Sequence, residues 1–167
     1  TTQTDHLKRS RNARSQAARD LGRALDDMKK KEESFRSMIE NSTDIIITMS
    51  EAGKILYSSP SIKNILEYPP EELIGKNVSE FIHPDDRPSL QEVISKGSWP
   101  DQIKSLESRA RHADGSWRTL EIRGKKARLE EGPSLILNCR DITEQKTAAK
   151  ALDAADQLIQ KAFANLN

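Results

Sequence analysis

The sequence Asp141-Ile142-Thr143-Glu144-Gln145-Lys146 separates two kinds of hydrophobic periodicity. The apolar run before it, residues 135–139, predicts a β-strand with Leu135, Leu137 and Cys139 on one face. The residues after it, 143–167, contain no Gly or Pro and predict a long helix. We therefore interpret the hexapeptide as the joint between a compact domain and an outgoing helix.

The composition favours a small core that carries exposed helices, because only 35% of the chain is hydrophobic and 32% is charged. The formal net charge is +1, which predicts no nucleic-acid or membrane partner. The single cysteine, Cys139, excludes an intramolecular disulfide and favours a reducing, cytoplasmic compartment. No apolar run approaches the ~20 residues that a membrane-spanning helix needs. The chain does not begin with Met, and we expect it to belong to a longer protein.

The N-terminal segment, residues 1–34, is interpreted as a polar stretch followed by a coiled-coil helix. Apolar residues recur from Ala18 at alternating spacings of three and four, which is typical of a heptad seam. The seam has one polar interruption, at Glu32. We expect its first part to pair with a second copy of the chain, and Phe35 and Ile39 to dock on the domain. The predicted dimerisation residues of this helix are Leu21, Leu25, Met28, Phe35 and Ile39.

The outgoing helix carries a second, leaner seam in which alanine alternates with larger residues. Its predicted dimerisation residues are Leu152 and Ile159. Between the two helices, residues 44–59 predict a hairpin, 61–97 several short helices, and 102–140 three antiparallel strands. Turn formers after residue 40 predict the end of the first helix, and Asp114-Gly115 is a strong hairpin signal.

This order of elements, together with several motifs, resembles a PAS domain, the sensory module of sensor kinases and other multi-domain signalling proteins. The matching pieces are Asp44-Ile45-Ile46-Ile47, Gly53-Lys54-Ile55-Leu56-Tyr57, Pro70-Glu71-Glu72-Leu73-Ile74-Gly75-Lys76, His83-Pro84-Asp85-Asp86-Arg87, Glu107-Ser108-Arg109, Asp114-Gly115-Ser116-Trp117 and Asp141-Ile142-Thr143-Glu144-Gln145-Lys146. The resemblance implies an α+β fold with a five-stranded antiparallel sheet in the order 2-1-5-4-3 and short helices on one face. The domain would span residues 35–142, and residues 143–167 would form a signalling helix that leads to a further domain.

The resemblance also implies a pocket between the sheet and the short helices. Trp99 is expected beside that pocket. The alternative is that the same side chains only fill the core, in which case the domain is a ligand-free dimerisation scaffold. The candidate pocket residues are Ile47, Tyr57, Ile65, Leu73, Val78, Phe81, Leu90, Val93, Leu120, Ile122, Leu135 and Leu137.

Signal relay is assigned to Asp141, Ile142 and Thr143 at the joint. We expect Asp141 or Thr143 to cap the outgoing helix by accepting hydrogen bonds from its first N–H groups. A shift of the last strand would then move the helix and, through it, an output domain.

No catalytic or metal-binding residues are predicted, because the sequence has neither a glycine-rich phosphate loop nor a cluster with metal-ligand spacing. An enzymatic output, such as a kinase or cyclase, would lie in the rest of the protein. Haem ligated by His is disfavoured because residues 85–96 contain no His, and a flavin–cysteine adduct because Val78 follows Gly75-Lys76-Asn77. The cofactor, if any, is left open, and His83 and Cys139 are interpreted as structural residues.

The continuation beyond residue 167 has two interpretations. Aligning Asn41 with Asn165 gives the C-terminal helix the spacing of the helix that leads into a PAS domain, which predicts a second such domain. The run Phe163-Ala164-Asn165-Leu166-Asn167 also resembles the residues before the phosphoacceptor histidine of sensor kinases. The predicted partners are thus a second copy of the chain, a downstream output domain and a small apolar ligand.

Overall fold

The computed structural model describes residues 2–95 and 102–166, which fall into two units, residues 1–41 and 42–167. The first unit is one helix, α1 (Thr2–Glu40), which contains no buried residue. It ends where the turn formers predict. Its seam residues Leu21, Leu25, Met28 and Phe35 are exposed, and Ile39 is half-buried. Trp99 and the predicted helix end at Gly97 lie outside the described residues.

The second unit is built on a five-stranded antiparallel sheet in the order β2-β1-β5-β4-β3, which confirms the predicted topology. Its strands are β1 (Ile45–Ser50), β2 (Ile55–Ser58), β3 (Gln102–Arg111), β4 (Trp117–Leu129) and β5 (Gly132–Asp141). Its helices are α2 (Ile62–Ile65), α3 (Pro70–Leu73), α4 (Arg87–Ser95) and α5 (Thr143–Ala164), with 3₁₀ turns at Val78–Phe81 and Pro84–Asp86.

The two faces of the sheet differ because side chains alternate along each strand. Ile45, Ile47 and Met49 of β1 are opposite Cys139, Leu137 and Leu135 of β5, and all six are buried on the inner face. The short helices cover this face and add Ile62, Leu66, Leu73, Phe81 and Leu90 to a single core. The outer face carries the residues between them.

Two positions in this sheet require glycine, Gly115 for its backbone conformation and Gly124 for lack of space. Gly115 has φ +88° in the Asp-Gly turn between β3 and β4, a conformation that side-chain-bearing residues rarely adopt. Gly124, in the middle of β4, has no room for a side chain. A Cβ atom there would lie 2.7 Å from Cδ2 of Leu137 and 3.0 Å from Cδ1 of Ile103.

Candidate signal-relay site

Eleven of the twelve predicted pocket residues lie in or against the core. Nine of them are buried, and Ile65 and Val93 are half-buried against the cluster. Tyr57 is the exception. It is 40% exposed and pairs with Thr48 on the outer face, so its assignment to the inner pocket is wrong. The register shifts between Thr48 and Met49, and this irregularity turns Tyr57 outward while Ile55 stays inside.

One polar group on the inner face is left without a partner. The hydroxyl of Ser108 is buried beside Leu120, with 3% of the residue exposed, and has no hydrogen-bond partner among the described residues. Leaving a buried hydroxyl unpaired costs about 1–3 kcal/mol. A small molecule with a polar group would relieve that cost if it reached Ser108.

The joint between β5 and α5 is held by a compact hydrogen-bond network. Oδ1 of Asp141 accepts from the backbone N–H of Thr143 at 2.9 Å and from the Thr143 hydroxyl at 2.5 Å. The same hydroxyl accepts from the backbone N–H of Thr119 at 2.9 Å. The N–H of Ile142 donates to the carbonyl of Thr119, also at 2.9 Å. Thr119 in β4 therefore binds the joint through both of its backbone groups.

This network assigns different roles to the three predicted relay residues. Asp141 accepts from the first N–H of α5, as expected of a residue that stabilises a helix start. Thr143 does not cap the helix, because its hydroxyl is turned to the sheet. Ile142 occupies the N-cap position without a side-chain hydrogen bond and is buried. It anchors the helix by packing.

An ion pair extends the attachment of α5 to a third strand. Nζ of Lys146 lies 2.8 Å from Oε2 of Glu107 in β3. Both side chains are about half exposed, so this pair adds little free energy. It places the first turn of α5 beside β3.

A second charged pair joins the last residues of β5 to the beginning of β1. Nε and Nη2 of Arg140 each donate to one carboxylate oxygen of Asp44 at 3.1 Å. The Asp44 side chain is only 12% exposed, and hydrogen bonds to it raise the pKa of Arg140. The Ser61 hydroxyl donates to the Asp44 carbonyl at 2.8 Å. Arg140, the residue before the joint, is therefore held in place by Asp44 from the beginning of the domain.

Cys139 directly precedes Arg140 in β5, and its thiol is unreactive. It is fully buried, and burial raises the pKa of its thiol to about 12, with the nearby charge of Asp44 as a second cause. The thiolate that reactive cysteines need is therefore absent near neutral pH. The structural interpretation of Cys139 agrees with this environment.

The motif around His83 also has a structural explanation. Nδ1 of His83 accepts from the N–H of Asp85 at 3.2 Å, and its ring meets the edge of Trp117 with centroids 4.6 Å apart. Asp86 accepts from the backbone N–H, Nε and Nη2 of Arg109 at 2.8, 2.9 and 2.7 Å. These contacts join the second 3₁₀ turn to the edge strand β3.

The residues that sequence reasoning missed are the partners supplied by other elements. Thr119, Glu107 and Asp44 complete the joint, yet they lie 24, 39 and 96 positions from the residues that they bind. Asp44 and Glu107 each belong to a motif quoted from the sequence, but neither motif indicates the partner, and no sequence signal marks Thr119.

The described residues contain neither a membrane-spanning helix nor a cluster suited to a metal ion. No helix in the ranges 2–95 and 102–166 is both long and apolar enough to span a membrane. Within the same part of the chain, no group of three or more His, Cys, Asp or Glu side chains is arranged to hold a metal ion.

Comparison with known proteins is consistent with this geometry. A family model described as PAS fold matches residues 33–142. The chain is 34% identical over 115 residues to the blue light receptor lreA of Aspergillus flavus, an alignment that covers 64% of the chain and 13% of the receptor. It is 28% identical over 134 residues to sporulation kinase E of Bacillus subtilis, covering 80% of the chain and 18% of the kinase. The chain thus spans less than a fifth of either relative.

Solved structures show the same fold. A PAS domain of an HTR-like protein from Haloarcula marismortui superposes with a TM-score of 0.64 at 24% identity, covering 72% of this chain and 98% of that one. An RNA-binding light-oxygen-voltage receptor superposes with a TM-score of 0.60 at 17% identity, covering 78% of this chain and 38% of that one.

Proposed function

Because the chain belongs to the PAS family of sensory domains, we propose that it is the sensor and relay segment of a larger signalling protein. In this role it dimerises, and a change in the domain reaches an output domain through α5. A signalling sensor role is supported by the relatives, which include light receptors and a sporulation kinase. The family module itself is sensory and not catalytic.

The observation that carries the proposal is the network of Asp141, Thr143 and Thr119. It joins α5 to β5 and β4, whose inner faces line the core. Any repacking of the core that slides β4 against β5 must move Thr119 relative to Asp141. The start of α5 has to follow, because its first N–H and first side chain are bonded to both strands. A long helix then converts a small rotation at its base into a larger displacement at its tip.

A ligand, as opposed to a bare scaffold, is favoured by Ser108. Its unpaired hydroxyl is buried, and the residue pairs across the strands with Leu120, one of the residues that we propose as the pocket wall. We propose a small, mainly apolar ligand with one hydrogen-bonding group. The flavin–cysteine chemistry of some light sensors is not proposed, because Val78 follows Gly75-Lys76-Asn77.

The similarity to sporulation kinase E supports a histidine kinase as the proposed output domain. A second PAS domain is the alternative, supported by the spacing match between the two helices. α1 ends at Glu40 and α5 at Ala164, so both helices end one residue before the aligned Asn41 and Asn165.

The proposal is tested by perturbing the sheet and observing the helix. A spin label at Lys161→Cys reports the distance between the two α5 helices of a dimer, and the buried Cys139 leaves that position as the reactive thiol of the folded chain. Ile122→Val removes one methylene beside Cys139 and costs about 1 kcal/mol. We expect it to shift the inter-label distance distribution.

The same shift should disappear when the joint is broken. Asp141→Ala removes the acceptor at the start of α5 at a cost of about 1 kcal/mol, and Ile122→Val should then no longer alter the distribution. The control is Asp114→Ala, which removes a comparable acceptor for the N–H of Ser116 in a turn outside this network. A response to Ile122→Val that is the same with and without Asp141 contradicts the relay.

A further inference from the structure

Arg118, near the beginning of β4, has a buried polar atom without a partner, as Ser108 does. Its Nε is buried and has no hydrogen-bond partner among the described residues, and the residue as a whole is half-buried. Leaving a buried donor without an acceptor costs free energy, and the cost is larger when the group is charged. The two residues therefore carry polar atoms that the described part of the chain does not satisfy.

The strand register places both side chains on the inner face of the sheet. Ser108 is opposite Leu120, and Arg118 is opposite Ala110. Cross-strand partners point to the same side of a sheet, and Leu120 and Ala110 both belong to the core. Ser108 and Arg118 are thus diagonal neighbours on one face. Such neighbours are about 7–8 Å apart, a separation within reach of long side chains.

The guanidinium of Arg118 also lacks a counterion. None of the ion pairs formed among the described residues includes it, and the carboxylates of Asp86 and Asp44 are paired with Arg109 and Arg140. Arginine stays protonated in proteins, so the cost of its burial is not relieved by the loss of a proton. An anion from outside the chain would neutralise this charge.

The surroundings of Arg118 and Ser108 select the kind of anion. A carboxylate matches a planar guanidinium, because its two oxygens lie in one plane. A phosphate dianion would bring more charge and more acceptor atoms than one guanidinium and one hydroxyl satisfy. The neighbouring inner-face residues Leu106, Ala110 and Leu120 are apolar and belong to or pack against the core, so they suit a hydrocarbon body.

We propose that the domain binds a small apolar carboxylic acid as its anion, with one carboxylate oxygen accepting from Nε of Arg118 and the other from the hydroxyl of Ser108. Each of the two unpaired atoms then gains an acceptor, and the hydrocarbon body lies against the apolar inner face. The inference rests on the proposed ligand-responsive relay and deepens it, because it names the chemical class of the ligand.

The position of Arg118 connects such a ligand to the joint. Arg118 directly precedes Thr119, whose backbone N–H and carbonyl bind Thr143 and Ile142. A ligand that draws the Arg118 side chain inward acts on β4 one residue away from these bonds. Binding at this point therefore reaches the start of α5 through a single strand.

Titration calorimetry of the full chain with linear carboxylates, from butanoate to dodecanoate, tests the ligand class. We expect at least one member to bind, and the alcohol of equal chain length to bind about tenfold more weakly because it lacks the charge. Inorganic phosphate has the charge but no hydrocarbon body and should not compete. An alcohol that binds as tightly as the acid, or phosphate that displaces it, overturns the assignment.

Two substitutions test the residues themselves. Arg118→Met and Ser108→Ala should each weaken carboxylate binding, Arg118→Met by about tenfold or more. Without ligand, both should raise the midpoint of thermal unfolding, because each removes a buried polar atom that has no partner. The matched control is Arg111→Met, at an exposed arginine at the end of β3, and it should leave the affinity unchanged.

A purely structural role for Arg118 and Ser108 predicts the opposite pattern. Variants that lower the unfolding midpoint and leave the affinity unchanged show that water satisfies these atoms, and they overturn the inference. Circular dichroism of each variant distinguishes lost binding from lost folding.

The spin label at Lys161→Cys separates this inference from the relay on which it rests. If a carboxylate binds but leaves the inter-label distance distribution unchanged, the binding site stands and the relay is wrong. If Ile122→Val shifts the distribution while no carboxylate of the series binds, the relay stands and the carboxylate site is overturned.

Discussion

Asp86 shows how much one side chain contributes to the junction between the short helices and the sheet. Its three hydrogen bonds from Arg109 are charge-assisted, and Arg109 lowers the pKa of the Asp86 carboxyl below its usual value. A carboxylate with a lowered pKa in the folded state stabilises the protein at pH values above its unfolded-state pKa. That stabilisation is lost as the pH falls through the folded-state pKa.

We therefore expect Asp86→Asn to reduce the free energy of unfolding by about 2 kcal/mol at pH 7. The difference from the unaltered chain should be constant down to about pH 4 and shrink below it, as measured by urea unfolding across the pH range. Asp85→Asn is the control, because Asp85 is 75% exposed and lies 3.6 Å from Arg109. An equal loss for the two variants, or a loss at pH 7 that persists unchanged at pH 2, would sink this account.

At the scale of elements, β4 is the strand on which the rest of the domain depends. It pairs with both β3 and β5, supplies Thr119 to the joint, and leaves no room for a side chain at Gly124. The side chains of Leu137 and Ile103 cross over that glycine, so the sheet can pack its inner face only if position 124 has no Cβ.

Gly124→Ala should therefore destabilise the domain by about 1–3 kcal/mol, because the new methyl overpacks the core. Gly22→Ala in α1 is the matched substitution in open space, with nothing within 4 Å of the added methyl. It should raise the helix stability of α1 by about 1 kcal/mol. Thermal unfolding monitored by circular dichroism measures the direction of the stability change for each substitution. Two substitutions that shift stability in the same direction would refute this contrast.

Helix α5 is attached to the sheet more firmly than its alanine-rich composition suggests. Its own seam is rich in alanine, and no residue of the helix is buried. Its orientation comes instead from Asp141, Thr143 and Lys146, each of which contacts a different partner in the sheet or the joint. The helix is rigid beyond that base because it has no Gly or Pro, so the base decides the position of the tip.

For the whole molecule, the exposed seam of α1 is the surface through which we predict a dimer. Leu21, Leu25 and Met28 are each more than half exposed, and a row of large apolar side chains at heptad spacing is stable in water when a second helix covers it. We expect the chain to dimerise, and Leu21→Glu with Met28→Glu to weaken dimerisation at least tenfold by placing like charges in the seam. Sedimentation equilibrium measures this change.

Arg23→Glu with Lys30→Glu is the control pair, because both positions lie off the seam and change charge without removing apolar surface. If the control and the seam variant weaken the dimer equally, general electrostatics and not the seam holds the copies together. If neither has an effect, α1 is not the dimer contact.

Much of this fold can be predicted because its signals are local. The end of α1, the hairpin of β1 and β2, the Asp-Gly turn and the start of α5 follow from turn residues and from the change between two periodicities. The strand order came from the resemblance to PAS domains. Tyr57 was misplaced because simple alternation ignores the register shift opposite it, which no property of residues 55–58 reveals.

Residue types along the chain were enough to predict a strand through residues 135–139, a long helix from Thr143, and apolar seams on the helices at both ends. Which residues hold the joint follows from the three-dimensional structure. The pairs Asp44–Arg140 and Thr119–Thr143 bring together positions that are far apart along the chain. Hydrophobic periodicity reports which face of an element is buried, whereas strand register and sheet order set which side chains meet across elements.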